Sequence, residues 1–260
     1  MSVPTPPRIL VIAGSDSGGG AGIQADIKTI TVLGGYAMTA ITAITAQNTL
    51  GVQRIFPLPH QEIEAQIDSV LDDIGADIIK TGMLSDAGII ELVAEKIGDR
   101  RVIIDPVMVA TSGDVLLAPE AVNALRERLL PKAFLITPNI PEAEVLTGMS
   151  ITSLEQQLLA GRRLLELGAQ NVLVKGGHHQ GLEVQDVLVT EQYGRVFRSI
   201  RIESQNTHGT GCTLASALAT LIGLGNPLEQ SITEAIGYVQ KAIRLAPGFG
   251  GGHGPLWHKV

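Results

Sequence analysis

The sequence predicts an α/β fold of three layers (α/β/α), with a central, mainly parallel β-sheet and an antiparallel edge hairpin. Short apolar runs alternate with amphipathic stretches along most of the chain. The 260 residues are 45% hydrophobic and 17% charged, which excludes a disordered chain and a coiled coil. Two β-rich runs follow each other closely near the end of this alternation. Strand–helix alternation implies right-handed crossovers, so helices should cover both faces of the sheet.

Six strands are predicted before residue 176. Each is a short apolar run of the kind found in strands that are buried on both faces. The runs are residues 8–14, 37–46, 77–80, 101–105, 134–137 and 171–175.

The segments between these strands have apolar residues at helical spacing. Ile23, Ile27, Ile30 and Leu33 lie on one face of a first helix, which Gly34-Gly35 should end. The same spacing predicts later helices at Ile63, Ile67, Val70 and Ile74, at Ile90, Val93 and Ile97, and at Val122, Leu125 and Leu129 with Pro119 in the first turn. Thr152-Ser-Leu-Glu155 resembles a capping box that opens a helix to Leu167.

The pattern changes after residue 176. Residues 184–190 and 195–202 are β-rich and flank Glu191-Gln-Tyr-Gly194, which predicts the edge hairpin. Helices are predicted over 214–224 and 228–245. We find no linker rich in proline, serine or charge, so residues 1–260 form one predicted domain, with loose tails at 1–7 and 248–260.

Charge and composition restrict the partners. The net charge of −7 argues against nucleic-acid binding through a basic face. Cys212 is the single cysteine, so an internal disulfide cannot form. No apolar run approaches the ~18 residues of a membrane helix. We therefore expect a cytoplasmic protein that acts on small molecules, without nucleic acid or membrane as a partner.

Ligands of such folds bind beyond the carboxyl ends of the strands. The first strand is followed by a turn with five glycines, residues 14–22, whose backbone amides could approach a ligand. A dinucleotide-binding loop lacks support, because no acidic residue ends the second strand, and a P-loop lysine is absent. A ligand-binding turn and an ordinary structural turn both remain open.

Polar residues follow the other strands. The side-chain amide of Gln47 suits a heterocycle with adjacent donor and acceptor, such as an aminopyrimidine, but it also suits an ordinary strand end. Asp105 and Glu142 could hold Mg²⁺ in one cleft, although Glu142, with Asn139, also fits a helix start. Lys175 ends a buried strand and needs a partner, either a phosphate or a carboxylate.

The segment 206–213 carries the most specific signal. Gly209 and Gly211 precede an alanine- and leucine-rich helix, so free amides there should form a nest for a phosphoryl group. Cys212 lies in the same positive field, which should lower the pKa of its thiol. It could be a base, a hydrogen-bond partner of the moving phosphoryl group, or a small inert core residue.

Seven segments together closely resemble the hydroxymethylpyrimidine/phosphomethylpyrimidine kinases, a ribokinase-like family that serves thiamine biosynthesis. They are GSDSGGGAGIQADIK (14–28), TAQNT (45–49), KTGML (80–84), DPVM (105–108), TPNIPEA (137–143), VKGGH (174–178) and HGTGCT (208–213). The resemblance implies that ATP with Mg²⁺ phosphorylates 4-amino-5-hydroxymethyl-2-methylpyrimidine and then its monophosphate. It also implies a homodimer. The alternative within the branch is a pyridoxal kinase or an enzyme with both activities.

The resemblance also assigns roles to residues. Substrate contacts are implied for Gln47 at the aminopyrimidine edge, for Gly14, Ala21, Met83 and Val107 around the ring, and for Asp26 at the hydroxymethyl group. The anion hole maps onto Gly209, Thr210, Gly211 and Cys212, with Cys212 catalytic. Asn139, Glu142 and Lys175 would serve the ATP phosphates, and Asp105 and Glu142 the metal. Thr45 stands where relatives often have an aliphatic residue, and its effect on the ring pocket is left open.

Two interpretations from other classes compete with the kinase. One is a non-catalytic vitamin-binding or regulatory protein that uses the same pocket. The other is a nicotinamide-dependent dehydrogenase, which only the glycine-rich turn suggests.

Overall fold

The computed structural model describes residues 5–179 and 181–260. Within them a single sheet contains nine strands. The strands are β1 (Arg8–Asp16), β2 (Tyr36–Asn48), β3 (Gly51–Pro57), β4 (Ile78–Thr81), β5 (Arg101–Ile104), β6 (Ala133–Ile136), β7 (Val172–Val174), β8 (Glu183–Val189) and β9 (Gly194–Ile200). Their spatial order is β3-β2-β1-β4-β5-β6-β7-β8-β9.

The sheet is parallel from β2 to β7 and antiparallel at both edges. The predicted hairpin is confirmed as β8 and β9. The opposite edge strand, β3, was not predicted, because Gln53 and Arg54 interrupt its apolar pattern and Pro57 ends it. An edge strand tolerates such residues, since one side of its backbone has no neighbouring strand.

Helices form a layer on each face of the sheet. They are α1 (Gly22–Val32), α2 (His60–Asp73), α3 (Ala87–Lys96), α4 (Ala121–Ala124), α5 (Ile140–Thr147), α6 (Leu154–Glu166), α7 (Thr210–Gly223) and α8 (Leu228–Arg244). Helix α4 continues as a π-helical stretch, Leu125–Leu129, and a 3-10 turn, Leu130–Lys132. The α2–α6 layer shares a core with Leu10 and Ile12, whereas α1, α7 and α8 share one with Ile9 and Val11. Successive side chains of β1 therefore point alternately into the two cores. The three-layer prediction is confirmed.

Two local predictions differ from the structure. Helix α6 is capped by Ser153, whose hydroxyl accepts from the amide of Gln156, so the helix starts one residue later than the predicted Thr152 box. Part of the C-terminal tail, expected to be loose, is held by backbone hydrogen bonds: His253 donates to the Thr49 carbonyl at 2.8 Å, and His208 donates to that of Gly254 at 3.1 Å. The glycine-rich composition hides these contacts, because they use the backbone and not a side-chain pattern.

The order of the strands creates a crevice at the carboxyl ends of the parallel strands. Strand β1 leads to β2 on one side, whereas its other neighbour, β4, leads to β5 on the opposite side. The connections that leave the carboxyl ends of β1 and β4 therefore diverge. Such a point is where open α/β sheets bind ligands. No helix within the described ranges is both long and apolar enough to cross a membrane.

Candidate active site

A cavity of about 650 Å³ opens at the carboxyl ends of the parallel strands. It extends to the first turn of α7 and to the ends of β8 and β9 that lie on the same edge. The predicted site residues that line it are Gly14, Ala21, Gln47, Met83, Asp105, Val107, Asn139, Glu142, Lys175, Gly209, Thr210, Gly211 and Cys212. Every predicted site residue except Asp26 is thus brought to one cavity.

The glycine-rich turn is organised by its own carboxylate. Asp16 Oδ1 accepts from the amide of Gly18 at 2.8 Å, and Oδ2 accepts from those of Gly20 at 3.0 Å and Ala21 at 2.8 Å. Three amides that could have bound a ligand are therefore occupied. Burial by itself would raise the pKa of Asp16, but the bond from His208 and these amides outweigh it and hold the pKa below its usual value.

A histidine that the sequence analysis did not single out joins this turn to the anion-hole segment. His208 Nε2 lies 2.8 Å from Asp16 Oδ2, and both side chains are almost fully buried. The backbones also meet: a Cβ on Gly209 would lie 1.8 Å from the carbonyl oxygen of Gly20, so only glycine fits. The sequence did contain a signal for this role. A histidine stands in a glycine-rich helix start, where hydrophobic packing does not explain its presence.

The first turn of α7 offers free amides to the cavity. Gly209 precedes the helix with a φ of +86°, and the amide of Thr210 donates to the Thr207 carbonyl at 3.3 Å. Among the described residues, the amides of Gly211 and Cys212 meet no protein acceptor. These two donors lie at the positive end of a 14-residue helix, where free amides can bind an anion.

A charged pair lies beside this turn. Lys175 Nζ is 2.9 Å from Asp105 Oδ1, and a Cβ on Gly211 would lie 3.4 Å from Lys175 Nζ and from Asp105 Oδ2. Burial would lower the pKa of Lys175, but the carboxylates of Asp105 and Glu142 outweigh burial and raise it. The carboxylate partner that the sequence left open is therefore present, and the ammonium lies next to the free amides.

Asn139 and Glu142 form a capping box at the start of α5. Glu142 Oε2 accepts from the Asn139 amide at 2.7 Å, and Asn139 Oδ1 accepts from the Glu142 amide at 2.9 Å. Burial, with the nearby Asp105 carboxylate, raises the pKa of Glu142 to about 7, against the opposing effect of Lys175. The helix-start interpretation of this pair is confirmed, and both side chains still line the cavity.

The carboxylates fit a magnesium ion only as minor ligands. The described residues contain no cluster of three or more metal-binding side chains. Mg²⁺ usually keeps several waters and takes one or two carboxylates together with substrate phosphates. Asp105 and Glu142 supply that number, and a divalent cation would relieve the repulsion that raises the pKa of Glu142.

The structure contradicts the role expected of Asp26. This carboxylate is fully buried, pairs with Lys80 Nζ at 3.0 Å and accepts from Ser216 Oγ at 2.6 Å. It does not line the cavity, so it cannot orient a hydroxymethyl group directly. Helix α1 turns it inward, one turn beyond Gly22. Lys80 ends a buried strand as Lys175 does, and the same argument could have identified it.

The environment of Cys212 also differs from the expectation. Burial raises the pKa of the thiol to about 12; the carboxylates of Asp26 and Asp105 raise it further, while Lys80 and the Gly22 amide oppose them. The predicted lowering of this pKa is wrong, because burial and two carboxylates outweigh the groups that favour the thiolate. This environment favours the neutral thiol, which lies beside the free amides.

Comparisons with known proteins point to a single family. A sequence model of the family described as Phosphomethylpyrimidine kinase matches residues 16–257. A hydroxymethylpyrimidine/phosphomethylpyrimidine kinase of Bacillus subtilis is 48% identical over 258 residues, covering 96% of this chain and 94% of the relative. The thiamine biosynthesis bifunctional protein ThiED of Geobacter sulfurreducens is 51% identical over 253 residues; the alignment covers 96% of this chain, which spans about half of that longer protein (52%).

Solved structures place the fold in the same group. The ADP complex of Bacillus subtilis pyridoxal kinase superposes with a TM-score of 0.91 at 38% identity, covering 98% of each chain. A phosphomethylpyrimidine kinase from Clostridium difficile 630 gives a TM-score of 0.81 at 41% identity, covering 91% of this chain and 99% of the other. The fold, the cavity and these similarities lead to one conclusion: the chain belongs to the phosphomethylpyrimidine kinase family.

Proposed function

We propose that this kinase transfers a phosphoryl group from ATP to the hydroxymethyl group of 4-amino-5-hydroxymethyl-2-methylpyrimidine, and then a second one to the resulting monophosphate. The observation that carries the proposal is the presence of two free amides, on Gly211 and Cys212, in the same cavity as the Gln47 carboxamide. Phosphoryl transfer depends on positioning and charge stabilisation, which such donors provide. The family resemblance supports a homodimer in the cytoplasm.

The ring side of the site would be the end near β1 and β2. Gln47 offers both a donor and an acceptor to the aminopyrimidine edge. Met83 lies against Gly14, where a Cβ would be 3.2 Å from the methionine sulfur, so the two form one wall for a flat ring. Val107 adds an apolar surface. These residues would hold the ring so that its hydroxymethyl group reaches the first turn of α7.

The phosphate side would be the region around Lys175. Its ammonium and the two free amides would contact the oxygens of the transferred group, and Asn139 would orient the phosphates. Mg²⁺ bound with ATP would neutralise charge on those phosphates, with Asp105 and Glu142 as its protein ligands. The apolar residues Ile200, Ile236, Val239 and Ile243 also line the cavity and would receive the base of ATP.

The glycine-rich turn at residues 14–22 argues against a nicotinamide-dependent dehydrogenase. In dinucleotide-binding folds, the glycine-rich turn presents its amides to a pyrophosphate. Here the Asp16 carboxylate already accepts three of those amides. A second anion at that position would meet the carboxylate and be repelled.

An assay that couples ADP release to a readable signal tests the proposal against its rivals. We expect turnover with the pyrimidine alcohol and with its monophosphate, and a lower kcat/KM with pyridoxal. A strong preference for pyridoxal would replace the substrate assignment; the similarity to solved pyridoxal kinases makes this arm necessary. Tight pyrimidine binding without ADP release, with Mg²⁺ present, would indicate a non-catalytic binding protein.

Gln47→Leu should raise the KM for the pyrimidine and leave the KM for ATP nearly unchanged. The change removes both hydrogen-bonding groups from the ring edge at similar volume. Two bonds to a neutral ligand are worth about 1–3 kcal/mol, or roughly fivefold to 150-fold in KM. Steady-state kinetics with each substrate varied in turn provides the measurement. Equal weakening of both substrates would show that Gln47 does not face the ring.

A further inference from the structure

The Gln47 carboxamide lies between Thr45 and His208, whose side-chain protons are already used in hydrogen bonds to other groups. The structure places Oε1 3.2 Å from Thr45 Oγ1 and Nε2 3.3 Å from His208 Nε2. The oxygen and nitrogen of an amide have nearly the same shape, so the hydrogen-bonding neighbours decide which end faces which way. The other hydrogen bonds of Thr45 and His208 fix the role that each can play toward Gln47.

Thr45 requires a donor from Gln47. Its hydroxyl has one proton, and Oγ1 lies 2.9 Å from the carbonyl oxygen of Ser15, which can only accept. With that proton used, the hydroxyl can only accept from Gln47. Thr45 is 4% exposed, so water has little access to replace this bond. The amide end near Thr45 must therefore be the NH₂ group.

His208 excludes a donor from Gln47. Its Nε2 lies 2.8 Å from a carboxylate oxygen of Asp16, and that carboxylate already accepts three backbone amides, so it is ionised. The ring nitrogen must carry the proton of this contact. A protonated ring nitrogen cannot accept from an NH₂ group, so the amide end near His208 must be the carbonyl oxygen. Turning the carboxamide by 180° gives Thr45 its donor and replaces the NH₂ group beside the protonated nitrogen of His208 with an oxygen.

We propose that Thr45, together with the Asp16–His208 pair, holds the Gln47 carboxamide in this single orientation and thereby determines which pyrimidine the site accepts. One N–H and one oxygen lone pair of the amide remain free for a ligand. They match a ring nitrogen that accepts and an exocyclic amino group that donates. The hydroxymethyl group must face Gly211 and Cys212, so the ring has one productive orientation, and a fixed amide discriminates against an inverted edge. This inference rests on the proposed function.

The test compares the proposed substrate with its 4-oxo counterpart. That ring presents a carbonyl and a ring N–H in place of the amino group and the ring nitrogen. The matched variants are Thr45→Val, which removes the hydroxyl at nearly constant shape, and Thr45→Ser, which keeps it. Wild type should prefer the amino ring in kcat/KM. Thr45→Val should reduce that preference by about threefold to tenfold, the value of one net hydrogen bond, and Thr45→Ser should restore it. The KM for ATP is the internal control.

Calorimetric binding of both pyrimidines without ATP separates this inference from the proposed function. If wild type prefers the amino ring in binding but releases no ADP, the kinase proposal fails while the role of Thr45 can still be judged from the binding ratios. The inference is overturned if Thr45→Val keeps the wild-type ratio, if Thr45→Ser loses as much as Thr45→Val, or if wild type shows no preference. The second result would show that the hydroxyl by itself does not account for the preference.

Discussion

Replacing Cys212 by alanine is expected to lower kcat by about 10²–10⁴-fold, the contribution typical of a positioned proton-transfer group. The sulfur lies in the first turn of α7, beside the two free amides and near the Lys175–Asp105 pair. In either active role that the sequence left open, as base or as hydrogen-bond partner of the phosphoryl group, it touches the reacting atoms. Single-turnover kinetics with saturating substrates provides the measurement.

Two controls belong to this experiment. Nucleotide binding and thermal unfolding of the alanine variant should match wild type, because the change removes one sulfur atom at the edge of a cavity. Cys212→Ser separates the two roles: a hydroxyl still donates to a phosphoryl oxygen, but it is a poor base. Recovery by serine would favour hydrogen bonding, and a loss as large as that of alanine would favour the base. A decrease of less than threefold in the alanine variant would contradict any catalytic role and assign the step to the backbone amides.

Lys80→Met should destabilise the protein by about 3–5 kcal/mol, as expected when one member of a buried ion pair is removed. The ammonium and the Asp26 carboxylate are both fully buried. Without the lysine, the carboxylate would keep only the Ser216 hydroxyl as a side-chain partner in the interior. Chemical denaturation at neutral pH provides the free energy of unfolding.

The double variant Lys80→Met/Asp26→Leu should recover much of that loss, because no charge is then left buried. Lys96→Met is the matched control: Lys96 also contacts two carboxylates, Glu64 and Asp68, but at the surface, so its loss should cost far less. A Lys80→Met variant as stable as Lys96→Met would show that the pair contributes no net stability. A double variant as unstable as the single one would show that packing, and not charge, is responsible.

The pair also bears on the site. Ser216 lies one turn beyond Cys212 in α7, and Asp26 lies one turn beyond Gly22 in α1. Their 2.6 Å hydrogen bond therefore ties together the two helices that begin at the cavity. Asp26 is thus a structural support of the site and not a substrate contact.

Most of the fold followed from local patterns. Apolar runs and helical spacing predicted the parallel strands, both helical layers and the β8–β9 hairpin, because these patterns depend on residues close in sequence. Strand β3 was missed because an edge strand has no continuous apolar run. The position of the site also followed, since the carboxyl ends of parallel strands meet at one edge of the sheet.

The sequence did not predict which charged residues pair with each other in and around the site. Lys175 and Asp105 are 70 residues apart, and Lys80 and Asp26 are 54 apart; spacing cannot choose among such partners. The sequence also placed Asp16 in a glycine-rich turn, but it did not show that its carboxylate accepts hydrogen bonds from three amides of that turn. The thiol of Cys212 was expected to ionise easily because the helix start is local, whereas the burial that prevents this comes from other elements.

By itself, the sequence determined the layers, the end of the sheet that binds ligands and the family, because backbone periodicity and glycine-rich helix starts are encoded over a few residues. Only the tertiary structure decided which charges pair, which amides stay free and which side chains surround the Gln47 carboxamide. Those outcomes depend on distances of a few ångströms between elements far apart in the chain, and on how deeply each group is removed from water.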